Sequence, residues 1–273
     1  MNHHLELPLL WIALLAYTAA GVLAILGQIF GRRMERTVLG LVTGGLGLVS
    51  LAIVLRWMEL GYGPFATMYE ILISNVWSLS LIFAVTYWRL PPIRPIAAVV
   101  LPVLFVMMGW LLVTDPAGSG LPPTFDTFWL YIHIGFAKVF LGAMLVAVGL
   151  AGVVLLRHLF GGRVAFASMP GDASLDELAY RFVLVGLVFD TLMLITGAIW
   201  AQDAWGRYWG WDPLETSSFV TWVMLAVSIH LRVTFKLRPV VGATLVMAVF
   251  VVGFATFFGI PFITETPHQG TFG

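Results

Sequence analysis

The chain has 273 residues, of which 60% are hydrophobic and only 10% are charged, against roughly 25% charged in soluble domains. That composition excludes a soluble globular protein, and a net charge of zero without any long basic or acidic run gives no footprint for nucleic acid. With no cysteine, thiol chemistry, disulfides and thiolate ligation are excluded as well.

Eight apolar segments reach the ~20 residues needed to cross a bilayer. They run over 8–30, 38–57, 71–88, 96–113, 128–156, 181–201, 215–235 and 240–260. The first is too long for a signal-peptide core, and Arg32 and Arg33 follow it rather than precede it, so it reads as a retained span. The fold expected is an all-α integral membrane protein, a single transmembrane domain over 1–273. Basic residues set its direction. Arg32, Arg33 and Arg36 follow the first span, and Arg89 and Arg94 the third. Arg157, Arg163 and Arg181 surround the loop after the fifth, and Arg232, Lys236 and Arg238 follow the seventh. Eleven of the fourteen basic residues thus fall on one side, which the positive-inside rule makes cytoplasmic. Both termini are then expected outside, in the membrane that bounds a bacterial cytoplasm.

Helix starts are legible on the outer side. Thr67-Met-Tyr-Glu70 has capping-box form. Asp212-Pro213-Leu214-Glu215 adds proline at the first helical position. On the inner side, Ser174-Leu-Asp-Glu177 predicts that the sixth helix begins before the membrane. The loop from Gly161 to Asp172 carries no recognisable site, and no strong internal repeat is apparent.

Between the sixth and seventh spans lies WAQDAWGRYWGWDPLETSSFVTW, residues 200–222, with five of the eleven tryptophans. Aromatic residues are ordinary at a membrane boundary, but Trp205, Tyr208, Trp209 and Trp211 are denser than that role needs. Gly206 and Gly210 between them let flat groups approach the backbone. The stretch suits a flat, rigid, largely apolar ligand, with porphyrin the first candidate.

Three of the six histidines bear on this. His133 lies about two turns into the fifth span, and His268 just beyond the eighth, so both can reach the outer surface. Each alone fits a polar residue at a helix interface. Together with the aromatic loop they fit the two axial imidazoles of a haem iron. His230 is 17 residues past Pro213, ~26 Å along a helix, so it marks either a second, inner site or a hydrogen bond to a neighbouring helix. His3, His4 and His158 read as solvated or interfacial side chains. Lys138 and Asp190 fall at similar depths inside their spans, and a mutual ion pair is expected; contact of Lys138 with a haem propionate is the alternative. Arg207 is the better propionate partner, while Asp212 and Glu215 organise the loop.

At this point WGRYWGWDPLET resembles the "WWD" signature of haem-handling proteins. Its continuation WDPLETSSFVTWVMLAVSIHLR resembles the CcsA (ResC) branch of cytochrome c biogenesis proteins. GPFATMYEILISNVW and GAIWAQDAWG agree, and the likeness spans roughly residues 61–273. It implies the CcsA subunit of a cytochrome c synthase, which moves haem b (iron protoporphyrin IX) outward with a CcsB (ResB) partner. The haem is presented there to apocytochrome c, whose Cys-x-x-Cys-His thiols add across its vinyl groups. The resemblance makes His133 and His268 axial ligands flanking the loop, and His230 part of an inner haem site; Trp205, Arg207, Tyr208, Trp209, Trp211 and Asp212 line or organise the outer one. Thr266-Pro267-His268-Gln269-Gly270 departs from the family's usual Gly-x-His-Ser-Tyr context. Competing readings are a CcmC-type haem-delivery protein, a haem b electron-transfer subunit, and a transporter with an aromatic gate.

Overall fold

In a computed structural model of the chain, residues 3–32, 34–63, 65–118, 120, 125, 127–159 and 164–264 are described. All regular elements among them are helical: α1 (His3–Phe30), α2 (Glu35–Leu60), α3 (Met68–Arg89), a 3-10 turn (Pro91–Ile96), α4 (Ala97–Val113), α5 (Phe128–Leu159), α6 (Asp172–Trp205), α7 (Pro213–Phe235), α8 (Pro239–Phe258) and the short α9 (Ile260–Ile263). Eight of these helices are long and apolar enough to cross a membrane. Each coincides with one of the eight segments expected from sequence, and α6 begins well before its apolar stretch, at Asp172 with Gly171 as its N-cap. The reason is general: in hydrocarbon every backbone polar group must be satisfied within its own segment, so apolar runs become helices.

The chain divides into two compact units, Met1–Gly120 with Leu156–Pro170, and Leu121–Leu155 with Gly171–Gly273. In the first, α1 packs against α2 and α4, and α3 against α2 and α4. Gly45 of α2 allows a close approach: a Cβ there would lie 2.9 Å from the Tyr17 ring of α1. The ends of α1, α2 and α3 are joined by a buried charge cluster. Arg56 donates to Glu70 Oε1 at 2.9 and 3.2 Å and to the Pro116 carbonyl at 3.0 Å, and lies 3.6 Å from Glu6. Tyr69 donates its hydroxyl to Glu6 at 2.8 Å. Glu6, Arg56 and Glu70 are at most 2% exposed. At the other end of this unit Arg157, one of the basic residues that set the topology, is itself buried. It donates to the carbonyls of Phe166, Met169 and Pro170 and so fixes the turn that follows α5.

In the second unit α6, α7 and α8 pack on one another, and α5 lies on α6 through a stripe of side chains. A Cβ on Gly186 would meet Met144 at 3.2 Å and Phe140 at 3.7 Å, and one on Gly197 would meet the His133 ring at 2.8 Å. Small residues on α6 are what let α5 come this close. The Thr221 and Thr256 hydroxyls, 3.2 Å apart, hold α7 to α8. At the basic end Arg232 binds Asp176 and Glu177 of α6 and covers the Tyr180 ring.

A local device recurs in both units. Gly61 ends α2 and Gly206 ends α6, each left-handed, at φ 77° and 71°, which glycine adopts without the Cβ clash. Six residues after each glycine comes an N-cap, Thr67 or Asp212, and each cap is closed by a glutamate, Glu70 or Glu215, in a full capping box. Each glutamate also binds one more amide, that of Ala66 or Gly210. Seven residues further on, Trp77 donates its indole N–H to Ser50 and Trp222 donates to Thr191, both at 2.8 Å. Only three of the seventeen residues that correspond over 61–77 and 206–222 are identical, which hid the recurrence from inspection of the sequence.

Candidate functional site

The tryptophan loop, where α6 turns into α7, is held by its own backbone chemistry. Glu215 Oε2 accepts from the amides of Gly210 and Asp212 at 2.7 and 3.3 Å, and Asp212 Oδ1 accepts from the Glu215 amide at 2.8 Å. Asp212 therefore has the capping role expected of it. Trp211, just before the cap, has φ 58°, a left-handed conformation that costs a bulky residue roughly 1–3 kcal/mol. Its carbonyl accepts from the Thr216 hydroxyl at 3.2 Å. The consequence is an indole 66% exposed, beside a Tyr208 that is 61% exposed. The Arg207 guanidinium lies over Gly210, where a Cβ would meet it and push this flexible side chain aside. Arg207 is exposed.

The loop indoles serve two aromatic groups. Trp209 meets Trp211 edge-on at 5.7 Å, Trp211 meets Phe219 at 6.1 Å, and Phe219 stacks on Trp222 at 5.9 Å. Trp205 instead joins Trp200 at 4.9 Å and Phe125 at 6.5 Å. Phe125, Leu130 and Trp200 are the buried centre of that second group, with Trp129, Ile134, Ala204 and Trp205 packed around them. The sequence reading missed Phe125 and Trp129, although both stand in the FDTFWLYIH stretch that leads to His133.

His133 belongs to this second group. Its ring stacks on Trp200, 6.0 Å between centroids and 22° between planes. Nδ1 lies 2.9 Å from the Met193 carbonyl oxygen. A carbonyl only accepts, so Nδ1 carries the proton and Nε2 is the lone-pair nitrogen of the neutral ring. That tautomer is the one a metal-ligating histidine holds when its other nitrogen donates to a backbone carbonyl.

The remaining candidates are separate. His230 is on the exposed face of α7, toward the end opposite the loop; the hydrogen bond to a neighbouring helix, one of the two readings of this residue, is not made among the described residues. His268 lies outside the described residues. The expected ion pair of Lys138 with Asp190 is not formed either. Asp190 is fully buried, and neither carboxylate oxygen has a hydrogen-bond partner among the described residues. The reason is helical phase. His133, Phe140 and Met144 define the stripe of α5 that faces α6, and Ala137 completes it at helical spacing. Lys138 is one residue, about 100°, round from Ala137. Equal depth did not mean a shared face.

Fold and site together define a multi-pass, all-α membrane protein with a histidine set among aromatic rings at one end. Residues 65–268 match the family described as "Cytochrome C assembly protein". The chain belongs to that family. Its relatives include "Cytochrome c biogenesis protein CcsA" of Prochlorococcus marinus (strain MIT 9515), 31% identical over 212 residues, 68% of this chain and 68% of the relative. The protein of that name from Chlamydomonas reinhardtii is 28% identical over 233 residues, 81% of this chain and 65% of the relative. That from Atropa belladonna is 29% identical over 241 residues, covering 76% and 77%. Among solved structures "Cytochrome c Heme Lyase CcmF" superposes with a TM-score of 0.72 over 98% of this chain. At 18% identity the likeness is one of fold, and the chain spans about half, 48%, of that protein.

Proposed function

We propose that the protein binds haem at its tryptophan end and presents it for covalent attachment to apocytochrome c, as the CcsA-type subunit of a synthase completed by a CcsB-type partner. Haem is cargo and substrate here. The observation that carries this reading is the fixed tautomer of His133: Nδ1 is committed to the Met193 carbonyl and the ring is braced on Trp200, so Nε2 carries the lone pair an iron accepts. Exposed Trp211 and Tyr208 offer flat apolar surface, and Arg207 offers a guanidinium for a propionate. Asp212 and Glu215 act indirectly, by holding the loop. The basic-residue asymmetry supports an extracytoplasmic position for this end, in a membrane we read as a bacterial inner one.

His268 is the candidate for the second axial position. α9 packs against α7 and α8, and His268 follows the last described residue, Thr264, by four positions, a reach of up to ~14 Å. His230, exposed near the basic end of α7, is the candidate contact for haem entering from the other side. The chain's contribution is positioning: it fixes the iron and leaves the vinyl edge open to the apocytochrome thiols. The incoming Cys-x-x-Cys-His histidine then displaces one axial imidazole and releases the product.

Purification of the wild type, His133→Ala and His268→Ala, each co-expressed with a CcsB partner and an apocytochrome, tests this by pyridine haemochrome and holocytochrome yield. Both variants are expected to lose haem and yield, and added imidazole to restore part of each. Unchanged yield in both variants rules the scheme out.

A further inference from the structure

Asp190 has no role in the scheme above, and its setting is unusual. It is the only ionisable residue of α6 between Arg181 and Asp203; it is 0% exposed, and both its oxygens are buried without a hydrogen-bond partner among the described residues. It lies on the face of α6 that meets α5, between Gly186, which receives Phe140 and Met144, and Met193, whose carbonyl holds His133. Asp190 stands three residues before Met193 and seven before Gly197, the two positions of α6 that meet the His133 ring, ~4.5 and ~10.5 Å along the helix axis, so it sits one to two turns beneath that ring. Of the helices packed around it, α5 offers His133 and Lys138. α7 has no ionisable residue between Glu215 and His230, and α8 has none at all.

An ionised carboxylate without a partner is strongly disfavoured in such surroundings, so with the site empty the group is held as the neutral acid. A net positive charge arriving at the His133 ring alters the balance, because opposite charges attract strongly at low dielectric. Ferric porphyrin carries one such charge at its core; zinc porphyrin carries none. We infer that Asp190 is the counter-charge of the His133 site: its O–H bond breaks and the proton passes to water when a ferric porphyrin is ligated there, leaving a carboxylate that offsets the metal's charge. The site thereby selects its ligand by charge as well as by shape. This inference rests on the haem reading of His133.

The test uses the full chain in lipid nanodiscs and N,N′-dicyclohexylcarbodiimide, an apolar reagent across whose C=N bond a protonated carboxyl adds, giving an O-acylisourea that rearranges to a stable N-acylurea, with the adduct located by mass spectrometry. The empty protein is expected to be labelled at Asp190. Ferric protoporphyrin should suppress the label at least fivefold, and zinc protoporphyrin should leave it. Suppression by both would mean simple shielding and would overturn the inference, as would an unlabelled empty protein. A second measurement is affinity: Asp190→Asn should weaken ferric protoporphyrin binding roughly tenfold and leave zinc protoporphyrin unchanged, and equal loss for both again overturns it. If ferric protoporphyrin gives no His133-dependent absorption spectrum, the haem reading itself fails, and it does so visibly and separately from the label on the empty chain.

Discussion

His133 shows how a single residue acquires a chemical state from its neighbours. An isolated imidazole can protonate either nitrogen, and the Met193 carbonyl chooses Nδ1. That contact exists because residue 197 is glycine: any Cβ there would stand 2.8 Å from both Cε1 and Nδ1 of the ring. Gly197→Ala should therefore displace the imidazole and lower haem occupancy by roughly tenfold, the lower range for loss of an outer-shell contact. Gly135→Ala on α5, where a Cβ meets nothing within 4 Å, should bind haem as the wild type does. Equal haem content in the two variants would refute this account of Gly197. Trp211 is the complementary case, since its positive φ puts an indole into the open at the expense of backbone comfort.

At the scale of elements, one turn design starts both α3 and α7, and its glutamate does more than cap. Glu215 gathers two amides of the tryptophan loop, that of Asp212 in closing the box and that of Gly210 besides, so the loop's shape depends on one carboxylate. Losing a buried acceptor leaves those amides unsatisfied, at about 1–3 kcal/mol. Glu215→Ala is expected to speed hydrogen exchange at Gly210 and Asp212 by roughly ten- to hundredfold. Exchange at the corresponding turn before α3, held by Glu70, should not change. Faster exchange at both turns would mean global loosening instead. The caps were readable from sequence because a capping box is local, with all its atoms inside four residues. The shared design was not, because hydrogen bonds such as Trp77 to Ser50 and Trp222 to Thr191 join residues 27 and 31 positions apart.

For the molecule as a whole, stability in the first unit leans on a buried guanidinium between two carboxylates. Removing one partner of a buried ion pair typically costs about 3–5 kcal/mol. Arg56→Met should lower the apparent melting temperature markedly, and the loss should be insensitive to added salt because the group is 1% exposed. Arg207→Met, at an exposed position, should melt as the wild type does. A salt-dependent Arg56 effect would show that the cluster is hydrated after all.

Composition and local pattern were enough to establish a membrane protein of eight apolar helices, the two capped helix starts and the aromatic loop. Each of these follows from the solvent a segment must satisfy or from bonds within a few residues. Only the tertiary structure decided which faces meet: that His133 rather than Lys138 looks at α6, that Asp190 has no hydrogen-bond partner among the described residues, and that Arg157 is buried. The physical reason is that helices in lipid are apolar all round. The amphipathic stripe that tells a soluble helix which side to bury is absent, and a few glycines set the phase of packing instead.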